Sequence, residues 1–175
     1  MVEAVIDTGH EVELVVSDAG RRVLVEEMGL SLDGNRLESW LGERKARVRL
    51  HPAPDIGASI ASGSYPVQGM VVMPCSTGTA ARIAAGLSDD LIQRAADVQI
   101  KQNRPLVLVV RETPLSVIHL RNLLRLARAG ATVLPASPGF YARPRTVDDL
   151  VAFVVERALD ALGLEGRRSV RWQGS

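Results

Sequence analysis

Apolar residues follow one another without a break over Leu106-Val107-Leu108-Val109-Val110. A run with no polar alternation predicts a strand covered on both faces, as in a parallel sheet. Residues 69–73 predict a second buried strand, and residues 12–16 and 132–134 two more. Between these runs the pattern turns helical. Ser17-Asp18 can cap a helix running to about Met28, with Gly29 as its stop. Residues 91–103 are helical by pattern, with Asp89 or Asp90 near the start. Residues 116–129 place Leu120, Leu123, Leu124 and Ala127 on one helical face, and Gly130 ends that helix. Thr146 caps a last helix through Leu162, with Asp148 and Asp149 favourably placed in its first turn. Shorter helical pieces are expected at residues 1–8, 56–62 and 80–85. Residues 30–54 read as irregular, with a short extended piece near Val48. Residues 135–144 form a Pro-rich loop, and a polar tail begins at Gly163.

Strands alternating with helices argue for an α/β fold with a doubly wound parallel sheet. The chain has 175 residues, 46% hydrophobic and 23% charged, which suits a single domain over residues 1–163 with a tail at 164–175. A net charge of +1 gives no general pull toward nucleic acid or membrane. Aromatics at 3% are too few for a base-stacking surface. Cys75 is the only cysteine, so a cytoplasmic setting is expected. No stretch has the length of a membrane span, and the first residues lack the features of a signal peptide.

Candidate chemistry gathers at strand ends. Pro74-Cys75-Ser76-Thr77-Gly78-Thr79 follows a buried strand and opens a helix. Its small and hydroxyl residues leave backbone N–H groups free for an anion, such as a phosphate, or for the polar edge of a flavin. An ordinary capped turn is the alternative. Cys75 beside a buried strand reads as packing rather than as a nucleophile. Arg111-Glu112 stands at the C-terminal end of the run from Leu106, where open α/β sheets bind ligands. It can be a structural ion pair, or Arg111 can meet an anion while Glu112 transfers a proton. Arg94 and Lys101, seven apart, share a helical face, and Arg104 reads as solvated. Tyr141 and Arg143 in the Pro-rich loop could bind phosphate, while Arg157 alone reads as a surface residue. His10, His51 and His119 show no metal-ligand spacing, so no metal site is assigned.

Taken in order, several stretches resemble the UbiX-type flavin prenyltransferases. They are Ala58-Ser59-Ile60-Ala61-Ser62-Gly63-Ser64, Pro74-Cys75-Ser76, Arg94-Ala95-Ala96-Asp97-Val98, Arg104-Pro105-Leu106-Val107, Arg111-Glu112-Thr113-Pro114-Leu115, His119-Leu120-Arg121-Asn122, Phe140-Tyr141-Ala142-Arg143-Pro144 and Arg171-Trp172-Gln173-Gly174. The resemblance implies a flavodoxin-like Rossmann fold, three-layered α/β/α, that binds reduced FMN. It also implies transfer of a dimethylallyl group from dimethylallyl phosphate onto the flavin N5 and C6 positions. The product, prenylated FMN, serves UbiD-type decarboxylases, and no metal is needed. Carried over position by position, Ser17, Ser76, Thr77, Gly78, Thr79 and Arg111 would contact FMN. Lys101, Tyr141 and Arg157 would hold the prenyl phosphate. Glu112 would be the acid/base group, and Arg94 a supporting cation. A homo-oligomer, often a dodecamer, is implied, with the prenyl slot at a subunit interface.

One departure from the family pattern bears on all of this. The family begins with a strand, a Gly-Ala-Ser-Gly turn and a helix, and this sequence begins where that first helix is ending. The missing strand would lie between residues 12–16 and 69–73 in a 2-1-3-4-5 order. The reading is therefore that Met1 is an internal Met and that a strand-turn-helix unit of ~20 residues stands upstream. As written, the chain is expected to bind FMN poorly. Two other functions compete: an inactive or FMN-binding-only truncated paralogue, and a flavin-dependent cysteine decarboxylase with His51 as its base.

Overall fold

The computed structural model describes residues 1–32 and 36–165, so the family-like tail stretch at Arg171 lies outside the described residues. Helix α1 (Val2–Asp7) leads into strand β1 (Val12–Val15), and α2 (Asp18–Met28) follows. Ser17 caps α2 by accepting from the Gly20 N–H, and Gly29 closes it in the left-handed region at φ 63°. This matches the start and stop signals in the sequence.

The segment read as irregular is more ordered than its polar pattern suggests. It holds α3 (Arg36–Leu41), a 3-10 turn and strand β2 (Val48–His51). Strand β2 pairs in parallel with β1, Val12 opposite Val48 and Val15 opposite His51. Only Val48 and His51 are buried in it, while Arg49 is exposed, so the strand presents little apolar signal. Residues 59–61 form a single 3-10 turn where a short helix was expected.

Strand β3 (Met70–Cys75) runs two residues beyond the expected end and carries Pro74 within it. Its register against the next strand shifts between Val72 and Cys75, as a residue without an N–H requires. Helix α4 (Thr77–Ala84) then starts three residues earlier than its pattern indicated, because Ser76 acts as the cap. Helix α5 (Leu91–Lys101) is capped by Asp90, strand β4 (Leu106–Val110) follows, and α6 (Val117–Arg128), β5 (Thr132–Pro135) and α7 (Val147–Ala161) complete the chain.

All five residues of β4 are buried, and they alternate between two cores. Leu106, Leu108 and Val110 pack with Ile83, Ala96, Leu123 and Leu126 on one face. Val107 and Val109 pack with Val154 and Ala158 of α7 on the other. Each such side chain contributes about 1.5–3 kcal/mol by leaving water. This is the three-layer α/β/α arrangement, with α4, α5 and α6 on one side and α7 on the other.

The strands form two parallel sheets rather than one: β1-β2, and β3-β4-β5 in that order. Among the described residues no strand lies between β1 and β3, which is where the flavodoxin-like order places a further one. The residues of β1 are all half-buried, and Met70, Val71 and Met73 of β3 are only partly covered. The β1-β2 pair has its own small core of Ile6, Leu32, Leu41 and Val48.

Helix α6 buries less of its apolar face than its pattern suggests. Its buried residues are Leu123 and Leu126, whereas Leu120 is 52% and Leu124 51% exposed. Val117 and Ile118 extend this outward apolar surface at 63% and 69% exposure. No helix among the described residues is long and apolar enough to cross a membrane.

Candidate functional site

The turn after β3 is built by its hydroxyls. Ser76 Oγ accepts from the Thr79 N–H at 3.1 Å and lies 3.0 Å from Thr79 Oγ1. The Thr77 and Gly78 N–H groups therefore open α4 without an intrahelical acceptor, at the positive end of the helix. Gly78 has an unexceptional backbone, and a Cβ there would stand 3.4 Å from Arg82 Nη1. Side chains are accommodated at this position, and glycine leaves the backbone open to a ligand. Cys75, immediately before the cap, is fully buried, and burial pushes its thiol up to about 11. That agrees with a packing role.

Because β3 and β4 are neighbours, their C-terminal ends meet. Glu112 is the second residue after β4, and its Oε2 accepts from Thr77 Oγ1 at 3.5 Å while Oε1 accepts from the Thr113 N–H at 3.1 Å. Arg111 and Glu112 are both exposed. A carboxylate, a guanidinium and a hydroxyl-rich helix start thus share one end of the sheet. Ser17 occupies the equivalent place after β1, with its Oγ 3.1 Å from the Gly20 N–H. These groups suit an anionic ligand carrying further polar edges, and a flavin mononucleotide fits that description.

The remaining predicted residues stand on other elements. Arg94 sits in the first turn of α5 and pairs with Asp97 at 3.6 Å. Lys101 is the last residue of that helix, ~10 Å further along the axis. It stands five residues before β4 begins, so the length of that strand, ~16 Å, separates it from Arg111 and Glu112. Tyr141 is 65% exposed and meets Phe153 edge to face, with ring centroids 5.9 Å apart. Arg157, one turn beyond Phe153, pairs with Asp160. It lines a cavity of about 510 Å³ between β5 and α7 with Thr132, Leu134, Ser137 and Phe153. Within the chain the 76–79 turn, Arg111 and Glu112 come together, Tyr141 and Arg157 flank Phe153, and Lys101 stands toward the opposite end of β4. No group of three or more His, Cys, Asp or Glu side chains able to hold a metal ion occurs among the described residues.

A polar network that the sequence reading overlooked ties the two sheets. Glu13, in the middle of β1, accepts from Tyr65 Oη at 2.6 Å and meets His51 Nε2 at 2.5 Å. Arg49 lies 3.7 Å away. Partial burial alone would raise the Glu13 carboxyl. The hydrogen bonds from Tyr65 and His51, with the charges of His51 and Arg49, outweigh it and hold Glu13 below the usual carboxylate range. Arg104, expected to be solvated, instead donates to the carbonyls of Tyr65 at 3.0 Å and Gly63 at 2.7 Å. His119 is a capping residue: its Nδ1 accepts from the Ser116 N–H, and Ser116 Oγ accepts from the His119 N–H.

Comparison with known proteins places these features. The Flavoprotein family model matches residues 1–159. A flavin prenyltransferase UbiX from Synechocystis sp. is 47% identical over 180 residues, covering 99% of this chain and 87% of the relative. One from Pseudomonas aeruginosa is 41% identical, covering 98% and 85%. Among solved structures, AnUbiX (PadA1) in complex with FMN and dimethylallyl pyrophosphate superposes with a TM-score of 0.88 at 39% identity, covering 98% of this chain and 87% of that one. A dodecameric FMN-dependent UbiX-like decarboxylase from Escherichia coli O157:H7 gives 0.83 at 44% identity, covering 94% and 84%. With a flavoprotein model over most of its length and prenyltransferase relatives above 40% identity across nearly all of it, the chain belongs to the UbiX flavin prenyltransferase family.

Proposed function

We propose that this chain is a metal-independent flavin prenyltransferase that moves a dimethylallyl group from dimethylallyl phosphate to reduced FMN, making prenylated FMN for a UbiD-type decarboxylase in the cytoplasm. The observation that carries the reading is the meeting of the 76–79 turn with Glu112 across adjacent strand ends. The Thr77 and Gly78 N–H groups, the hydroxyls of Ser17, Ser76 and Thr79, and Arg111 hold FMN. When bound, reduced FMN supplies the nucleophilic ring positions. Tyr141, Arg157 and Lys101 take the prenyl phosphate, and Arg94 adds a supporting positive charge. Negative charge grows on the phosphate as its bond to the allylic carbon breaks, and fixed cations stabilise that growth most because they need no reorganisation. Glu112 passes a proton to the departing phosphate.

The placement of Lys101 bears on assembly. A lysine at the opposite end of β4 from Arg111 and Glu112 can serve such a site only from another copy of the chain. The outward apolar face of Val117, Ile118, Leu120 and Leu124 supports a homo-oligomer, since exposed apolar surface of this kind marks interaction sites. A subunit boundary would also give the prenyl group a slot from which water is excluded.

The test is anaerobic incubation with reduced FMN and dimethylallyl phosphate, followed by mass spectrometry of the flavin. A flavin heavier by one prenyl group is expected. Flavin that is bound but unmodified would leave an FMN-binding protein, and that outcome would sink the transferase reading. Glu112→Gln should lower transfer by about 10²–10⁴-fold while sparing FMN binding.

A further inference from the structure

Helix α4 carries a cation, Arg82, in its last turn. At that end of the helix a guanidinium would be favoured by the unpaired carbonyls. Arg82 points the other way. Helical side chains lean toward the N-terminus, and residues four apart share a face, so Arg82 reaches back over Gly78. The place a Cβ would take on Gly78 lies 3.4 Å from Arg82 Nη1 and 3.8 Å from Ser76 Oγ. The guanidinium therefore stands over the first turn of α4, beside the cap, with no side chain at 78 between it and the backbone.

Nothing within the chain offsets this charge. Arg94 and Arg157 each have an aspartate three residues on. Arg82 is exposed and takes part in no ion pair among the described residues. Glu112, the carboxylate at this turn, accepts from Thr77 and Thr113 instead. A cation thus lies at the positive end of a helix, next to N–H groups that have no intrahelical acceptor. Left alone, this arrangement is unfavourable, because like charges raise the local potential. An anion seated on the turn would satisfy the N–H groups and the guanidinium together.

We propose that Arg82 is a further ligand-binding residue of this site: its guanidinium, folded back over Gly78, meets an anionic group of the reduced flavin that the Thr77 and Gly78 N–H groups hold. The inference rests on the flavin function proposed above. Two parts of that ligand have the required chemistry, the phosphate and the ionised pyrimidine edge of the reduced ring. A planar fork suits either, since each offers acceptors side by side.

The test uses the full chain under anaerobic conditions. Arg82→Gln removes the charge at an exposed position and should leave the circular dichroism spectrum unchanged. The Kd for reduced FMN, measured by ultrafiltration, should rise about five-fold, the scale of an exposed ion pair of good geometry. Its dependence on salt should become shallower, because one screened attraction is gone. Arg82→Lys keeps the charge but loses the fork, and should fall between wild type and Arg82→Gln. Reduced riboflavin separates the two sources. An equal rise for riboflavin and FMN assigns the guanidinium to the ring edge, and a rise for FMN alone assigns it to the phosphate. In wild type, bound FMN should slow phenylglyoxal modification of Arg82 several-fold, as read by peptide mass spectrometry. Wild-type affinity in Arg82→Gln, or modification of Arg82 that bound FMN does not slow, would overturn the inference and leave the flavin function standing. Wild-type protein that binds no reduced FMN would refute the flavin function, and the role of Arg82 with it.

Discussion

Cys75 offers a quantitative check on how the fold treats the end of β3. The residue is fully buried; its Sγ lies 3.6 Å from the Ser76 carbonyl and takes a backbone hydrogen bond from Ala80, which offsets burial only in part. Burial pushes the thiol from 9.0 up to about 11. Only the thiolate reacts with an alkylating agent, so at about pH 8 the reactive fraction falls from ~10% to ~0.1%, a loss of about 100-fold before access is considered. Iodoacetamide labelling followed by mass spectrometry, folded against urea-unfolded, should show at least that ratio. Labelling of the folded protein within about ten-fold of the unfolded rate would refute the reasoning. The same shift has a consequence for stability. The folded-state value lies above the unfolded one, so between 9 and about 11 the unfolded chain binds fewer protons and stability declines as pH rises. The contribution is fully present below 9.0 and its loss is bounded near 3 kcal/mol, two pH units at about 1.4 kcal/mol each. Cys75→Ala should flatten this alkaline decline in urea unfolding. An equally steep decline in the variant would show that other groups cause it. The variant should also retain prenyl transfer, because a thiol held protonated at neutral pH is a poor nucleophile.

Three further outcomes follow from particular contacts. Leu124→Glu puts a charge on the outward face of α6, where the wild-type side chain is 51% exposed. It should preserve the circular dichroism spectrum while shifting sedimentation to smaller species, and an unchanged sedimentation coefficient would remove α6 from the interface. Glu13 is held below the usual carboxylate range, so its contribution is present above the unfolded-state value and disappears as pH falls through the lower folded one. The stability gap between wild type and Glu13→Gln should therefore close in acid, and a gap that persists at about pH 2 would contradict the network. Gly78→Ala has room for its methyl group and should gain about 0.5–1 kcal/mol of helix stability, raising Tm by ~1–4 °C. A lower Tm would mean that the turn needs glycine for its own fold.

Which parts of this molecule can be read from its sequence depends on how local their causes are. Strand β4 is legible because all five of its positions are apolar and both faces of the sheet are covered. Helices α2 and α7 are legible because Ser17, Gly29 and Thr146 mark their ends within one turn. Strand β2 is legible only as the short extended piece near Val48; its pairing is not, since Val-Arg-Leu-His meets its partner in β1, 36 positions earlier in register. The face of α6 shows a different limit. Periodicity reports that Leu120, Leu123 and Leu124 are apolar, but not whether the cover comes from this chain, and here the subunit covers Leu123 and leaves the other two outward.

The site divides along the same line. Thr77 and Glu112, 35 residues apart, meet because β3 and β4 are adjacent and parallel, and adjacency is what strand-helix alternation predicts. Lys101, Tyr141 and Arg157 are placed by helix ends and loops, whose reach no spacing rule fixes, and the common role proposed for them rests on the resemblance. The Glu13 network does leave a trace. A carboxylate in the middle of Val-Glu-Leu-Val-Val is costly to shield from water unless partners meet it, so such a strand position points to donors elsewhere in the chain. What the sequence cannot supply is that those donors would be His51 and Tyr65, 38 and 52 residues on.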